Sequence, residues 1–279
     1  MKYGFIIPRG DVDTIVAMAI EAEEAGWDGI FYWDGIYIES MGGMYDPWVV
    51  LAAMALRTQH VRIGAVLTPP SRRRPWKLAR ETVTVDHLSH GRLVLPVGLG
   101  ALEDGGFSKV GEVTDRKVRA QLLDESLEIL TGLWSGQPFS YRGRHYHVDE
   151  MTFLPPPVQK PRIPIWVVGA WPRTKSMQRV LRYDGLLPTK INPDGSGGEV
   201  TPDDIRAMKA YIAEHRTQTT PFDIVWEGET PGDDYNEARD IIKPYVDAGI
   251  TWWMESRWSV EDIDVVRTRI RQGPPRINY

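Results

Sequence analysis

The chain has 279 residues, 42% apolar and 25% charged, with a net charge of −5 and no cysteine. Without cysteine, disulfides, thiolate nucleophiles and zinc–thiolate sites are excluded, and a small charge spread along the chain gives no basic stripe for nucleic acid or an anionic membrane surface. No segment approaches the roughly 20 apolar residues needed to span a bilayer, and the opening apolar run is too short for a signal peptide, so a cytoplasmic protein is expected.

Taken in chain order, residues 3–7 read as a first strand, and 12–25 as a helix with Val, Ala and Ile on one face. Residues 29–33 form a second strand, after which Asp46-Pro47 opens a helix that runs to Leu56. The β-branched run 61–67 suits a strand buried on both faces. Apolar residues over 76–88 predict a helix closing at Ser89-His90-Gly91. A strand over 93–97 then ends in Gly98-Leu99-Gly100, where backbone can approach a ligand closely. A helix over 115–134 completes the fourth pair. The remaining pairs are strand 165–168 with helix 174–183, strand 185–189 with helix 202–215, strand 222–226 with helix 234–248, and strand 251–255 with helix 260–270.

Eight strand–helix units in a chain of this length predict an α/β fold, a single (β/α)8 TIM barrel spanning residues 1–279. The departure from alternation is 135–164, rich in Pro and aromatics. It reads as an insertion between the fourth helix and fifth strand, with a hairpin over 139–147 turning at Arg142-Gly143. The GSGG stretch at 195–198 reads as a mobile loop.

Active sites of such barrels lie at the C-terminal ends of the strands. Asp34 falls there, and its carboxylate suits either a ligand contact or a loop ion pair and cap. Gly169-Ala170-Trp171-Pro172-Arg173-Thr174-Lys175-Ser176 opens a helix, where free N–H groups, hydroxyls and cations suit a phosphate; the plainer reading is an ordinary helix cap. Arg72, Arg73 and Arg74 suit an anionic substrate or, equally, a solvated loop paired with carboxylates. The six histidines form no metal motif, and His145 and His147 fall on one side of a probable strand. Asp86 and His87 read as structural. Trp33, Trp171 and Trp226 fall at strand ends, where indoles could wall off a flat ring, and only one of Trp252 and Trp253 can face the barrel interior.

Several segments carry a resemblance. TVDHLSHGR followed by a strand and GLG, AEEAGWDGIFYWDGIY at 22–37, RAQLLDESLEILTGLWSG at 119–136 and YRGRHYHVDEMTFLPPPVQKPRIPIWVVG at 141–169 stand in an order and spacing that resembles the luciferase-like flavin-dependent oxidoreductases. The resemblance implies reduced FMN, or the deazaflavin coenzyme F-420, at the C-terminal mouth of the barrel. It implies that Asp34 orients the cofactor ring or substrate, that Leu67 or Thr68 touches the cofactor near a non-prolyl cis peptide, and that Gly98, Leu99 and Gly100 meet the ring edge. The cofactor phosphate would lie at Gly169, Ala170, Trp171, Arg173, Thr174, Lys175 and Ser176, and Arg72, Arg73 and Arg74 would take an anionic substrate or the glutamyl tail of F-420.

Two departures sit at the chemistry: Gly35 stands where many relatives carry the His of an Asp-His pair, and Ala101 where some deazaflavin dehydrogenases carry a glutamate. They tilt the expectation slightly to FMN, making the protein a monooxygenase of a small organic substrate supplied with reduced cofactor by a partner reductase. The alternative is hydride transfer with F-420. Readings of other classes are a flavin-binding protein with little catalysis and a barrel hydrolase or isomerase of a phosphorylated substrate. A homodimer is compatible with the exposed aromatics, and no metal is expected.

Overall fold

Short strands rich in β-branched and aromatic residues leave no face that water can cover, so each buries one side in a barrel and the other under helices. The computed structural model describes residues 1–276. The strands are β1 (Lys2–Ile6), β2 (Gly29–Tyr32), β3 (Arg62–Ala65), β4 (Leu95–Val97), the pair β5 (Pro138–Arg142) and β6 (His147–Thr152), then β7 (Ile165–Trp171), β8 (Gly185–Ile191), β9 (Gly197–Gly198), β10 (Asp223–Gly228) and β11 (Trp252–Glu255). The helices are α1 (Val12–Glu24), α2 (Pro47–Arg57), α3 (Pro75–Leu88), α4 (Arg116–Trp134), α5 (Thr174–Val180), α6 (Pro202–His215), α7 (Tyr235–Ala248) and α8 (Ile263–Arg271).

The parallel strands run β3-β2-β1-β11-β10-β8-β7-β4. Bridges between Ile63 and Leu93 and between Thr68 and Val97 join the two ends, closing the sheet as a barrel. Aspartate carboxylates accept from free N–H groups at the starts of α1, α2, α4, α7 and α8, and Thr201 with Asp204 forms a capping box on α6.

Inside the barrel lie Ile6, Phe31, Val94, Trp166, Val225, Trp252 and Met254. Three large rings meet there, Trp166 to Trp252 at 5.3 Å and Phe31 to Trp166 at 5.8 Å between centroids. They fit because small residues face them: a Cβ on Gly185 would stand 2.3 Å from Cδ1 of Trp166. Trp253 points the other way, toward Tyr245 of α7.

Several boundaries differ from those read in the sequence. β7 and β8 run on to Trp171 and Ile191, because their pairing continues through Ala170 with Thr189 and Trp171 with Lys190. Gly169, Ala170 and Trp171 therefore belong to a strand rather than to a helix-opening loop. The GSGG stretch is also not a free loop: Gly197 and Gly198 pair antiparallel with Ile191 and Lys190, around a turn in which Asp194 accepts from Ser196. Between α4 and β7, β5 and β6 pair antiparallel with their turn at 143–146, which places His145 in the turn. Among the described residues no helix is long and apolar enough to cross a membrane.

Candidate active site

A cavity of about 380 Å³ opens at the C-terminal end of the barrel. Its walls are mostly apolar, with Val66 and Leu67 after β3, Val168 of β7 and Leu187 of β8, while Thr189 and Glu227 supply polar groups. Side chains alternate along a strand, so Glu227 lies on the same inward row as the buried Val225 but one step nearer the mouth. Trp258, in the loop after β11, donates its Nε1 hydrogen to Oε1 of Glu227 at 2.5 Å. Neither residue stands out in the sequence. The usable signal is the two-residue period of β10, which carries a carboxylate to the inward mouth position.

Asp34 follows β2 at the rim, but its carboxylate is enclosed. Arg73 forks onto it, Nε to Oδ2 at 3.0 Å and Nη2 to Oδ1 at 2.8 Å, while Arg72 reaches Oδ1 at 3.2 Å and the Asp34 carbonyl at 2.7 Å. Its side chain has no solvent exposure. The enclosure matches the loop ion pair that the sequence also allowed, and contact with a ligand would require breaking two ion pairs. Arg72 also pairs with Asp104, and its side chain is 1% exposed. Of the arginine run, Arg72 and Arg73 pair with carboxylates inside the protein, the plainer of the two readings the sequence allowed, and Arg74 alone stays exposed.

Asp104 ties three mouth loops together. It accepts from the backbone N–H groups of Ile36, Tyr37 and Gly106 as well as from Arg72. Burial alone raises its pKa, yet the donated hydrogen bonds outweigh that and hold it below the usual carboxylate range. Burial similarly works against the charge on Arg73, and Asp34 outweighs it, so its pKa is raised.

The peptide between Val66 and Leu67 is cis and non-prolyl, in the segment where the resemblance implies one. The adjacent Thr68 hydroxyl is buried and, among the described residues, has no hydrogen-bond partner. Arg119 of α4 donates to the carbonyls of Leu99 and Gly100 at 2.9 and 3.1 Å, which fixes the turn after β4 beside the cavity residues. Gly98 lies in contact with Leu67 and Val168, where a Cβ would come within 3.0 Å of both. Gly35 has its own steric reason: a Cβ there would meet the Trp33 ring at 2.3 Å, so a histidine could not start from this backbone.

At the end of β7, the Ser176 hydroxyl accepts from the Ala170 N–H at 2.9 Å and is engaged within the fold. Arg173, Thr174 and Lys175 are exposed, and among the described residues neither cation forms a salt bridge. Trp171 packs on Tyr211 of α6, and Trp226, although it borders the cavity, stacks its ring on Tyr245 of α7 at 5.1 Å. Trp33 is buried, with Nε1 bonded to the Pro8 carbonyl. The indole that reaches a cavity side chain is Trp258. Asp86 caps the backbone of Val158 and Gln159, a structural role. His147 pairs with Asp149 at 3.0 Å, and among the described residues no cluster suits a metal ion.

A model of the luciferase-like monooxygenase family matches residues 4–264. The chain belongs to that family. It is 32% identical, over 85% of its length and 86% of the relative's, to an F-420-dependent glucose-6-phosphate dehydrogenase of Amycolatopsis mediterranei. An F-420-dependent secondary alcohol dehydrogenase, in complex with an F-420–acetone adduct, superposes with a TM-score of 0.79 over 98% of both chains at 16% identity. The oxygenating constituent of 3,6-diketocamphane monooxygenase of Pseudomonas putida, in complex with FMN, superposes with a TM-score of 0.67 over 87% of this chain and 70% of that one at 19% identity. At those identities the two structures bear on the fold alone. This luciferase-like protein is an oxidoreductase with a nearly closed parallel barrel.

Proposed function

We propose that this luciferase-like protein is an F-420-dependent oxidoreductase that exchanges hydride with a small organic substrate at the barrel mouth. The observation that carries the reading is its 32% identity, over nearly the whole of both chains, to a protein named for F-420-dependent dehydrogenation. This weighs against the slight tilt to FMN that Gly35 and Ala101 suggest in the sequence. The Gly35 departure also loses force, since Trp33 occupies the space a side chain there would need.

The residues present fit a flat cofactor ring. The mouth offers an apolar slot walled by Leu67, Val168 and Leu187, an orphaned Thr68 hydroxyl and the turn after β4. Arg173 and Lys175, exposed without carboxylate partners, would hold the cofactor's phosphate, with the Thr174 hydroxyl beside them. Bound there, the deazaflavin ring supplies a hydride acceptor and donor at carbon. The chain's own part is to bind and orient, to keep water from an apolar slot, and to hold the rim closed through Arg72, Asp34 and Asp104.

A binding titration of the purified protein with oxidised F-420 and, separately, with FMN tests the reading. Preference for F-420 by at least tenfold in Kd is expected. Tight FMN binding with weak F-420 binding would return the monooxygenase reading, and binding of neither would remove both.

A further inference from the structure

Hydride exchange at a carbinol carbon needs a second group, because the hydroxyl proton must leave as the hydride does. Among the described residues, Glu227 is the one ionisable side chain that lines the mouth cavity. It is exposed, it stands on the inward row of β10, and one oxygen is fixed by Trp258. Among the described residues its Oε2 makes no hydrogen bond and the carboxylate forms no salt bridge. Trp258 is itself held, its carbonyl accepting from Arg9 Nη2 at 3.2 Å and its ring standing edge-on to Trp33 at 6.1 Å. One carboxylate oxygen is therefore oriented by a braced indole, while the other, on a residue that lines the cavity, is unclaimed among the described residues.

We propose that Glu227 is the catalytic acid–base of this site, and that the substrate is a small uncharged alcohol or the matching carbonyl compound. The proposal rests on the F-420 reading and deepens it. In the oxidising direction the carbinol C–H bond would break with its electron pair leaving on the hydrogen, for which the cofactor, when bound, would supply the acceptor. The O–H bond breaks as its proton passes to Oε2 of Glu227, and the C=O bond forms. Reduction of the carbonyl runs the same transfers backwards. An anionic substrate is disfavoured, because the cavity places a carboxylate against it and, among the described residues, is lined by no cation.

The charged groups on the flanking elements are engaged elsewhere. Lys190 at the end of β8 pairs with Asp204 at 2.9 Å, and Arg257 after β11 pairs with Glu255 and Glu229. Glu255 is buried and also meets Arg269 at 3.3 Å. Arg9 after β1 donates to the Trp258 carbonyl.

Two measurements test the proposal. In cofactor-free protein labelled with 15N-tryptophan, the Trp258 indole N–H resonance, assigned with Trp258→Phe, is expected to shift upfield in Glu227→Gln, because the charged acceptor of its hydrogen bond is replaced by a neutral amide. A resonance that stands at the same position in wild type and Glu227→Gln overturns the arrangement. With F-420 and 2-propanol, cyclohexanol or benzyl alcohol, Glu227→Gln is expected to bind F-420 within about twofold of wild type, while kcat falls roughly 10²-fold or more. A variant that keeps kcat within about threefold overturns the role of Glu227 while leaving the F-420 reading intact. Wild-type protein that binds F-420 but turns over none of the three alcohols, nor acetone with reduced F-420, overturns the substrate class. Wild-type protein that binds no F-420 overturns the underlying reading, and the proposal with it.

Discussion

The Arg73 guanidinium meets the Asp34 carboxylate through two parallel hydrogen bonds, at a point where the Asp34 side chain is shut off from solvent. Fork-to-fork pairing of this kind fixes geometry as well as charge. It sets the end of β2 against the segment that follows β3. With Arg72 bridging on to Asp104, the same pair extends to the loop after β4. The rim is thus built from charges that cancel one another.

Removing one partner of a buried pair strands the other, at a cost of roughly 3–5 kcal/mol. Asp34→Asn is therefore expected to lower stability in urea denaturation by about 3 kcal/mol. Cofactor binding, measured where the variant is still folded, should weaken only modestly. A variant of unchanged stability that loses turnover would instead put this carboxylate in contact with the ligand.

The barrel interior yields a second prediction. A methyl group at Gly185 would stand 2.3 Å from Cδ1 of Trp166 and 3.0 Å from the carbonyl oxygen of Asp223. The indole has little freedom to yield, since its Nε1 bonds to Asp223 Oδ2 at 3.2 Å and its ring packs on Phe31 and Trp252. Overpacking of this kind costs about 1–3 kcal/mol. Gly185→Ala should lose that much by urea titration and alter the near-ultraviolet circular dichroism of the tryptophans. Gly197→Ala is the control, with open space around its Cβ position and an expected change below about 0.5 kcal/mol.

The barrel is legible in the sequence because its causes are local. Runs such as 61–67 and 93–97 suit buried strands, and Asp46-Pro47 announces a helix through its own cap chemistry. The extension of β7 to Trp171 is not local, since it depends on hydrogen bonds to β8. The rim is less legible still. Whether Arg72 faces solvent or a carboxylate depends on Asp34, 38 residues away, and on Asp104, 32 away. Glu227 and Trp258 are 31 residues apart and meet only once β10 and β11 lie side by side. Composition and period can nominate a strand end, but they do not reveal which charges there have already found partners.

Arg92 illustrates the same point at the other end of the barrel. Its guanidinium donates to the carbonyls of Ala55, Thr58, Val61 and Ser89 and to the Thr58 hydroxyl, all between 2.8 and 2.9 Å. Thr58 and Ser89 are the C-caps of α2 and α3, so one cation satisfies carbonyls at the ends of both helices. Burial pushes its pKa down, and among the described residues it forms no salt bridge with a carboxylate. Arg92→Met would bury those carbonyls without a donor, each at about 1–3 kcal/mol before water or local rearrangement compensates. The expected loss is about 3 kcal/mol or more by urea denaturation, with F-420 affinity retained in the folded fraction because the mouth lies at the opposite end. A stable Arg92→Met variant would mean that water reaches these carbonyls.

Glu21 links the first helix to the last and makes barrel closure acid-sensitive. It accepts from Arg267 Nε at 2.8 Å and from Arg271 Nη2 at 2.8 Å, joining α1 to α8. The hydrogen bond from Arg267 is the largest influence on its pKa. Despite the opposing effect of burial, and with Arg271 assisting, its carboxyl is held down at about 2. The folded pKa lies below the unfolded value of about 4.3, so the unfolded state takes up the proton first as pH falls. The stabilisation is complete above about pH 5 and disappears as pH drops toward 2. Urea midpoints measured from pH 7 to pH 3 should therefore fall more steeply for the wild type than for Glu21→Gln. The two proteins should differ most at neutral pH and converge in acid, whereas parallel curves would show that this pair does not govern the acid sensitivity of the fold.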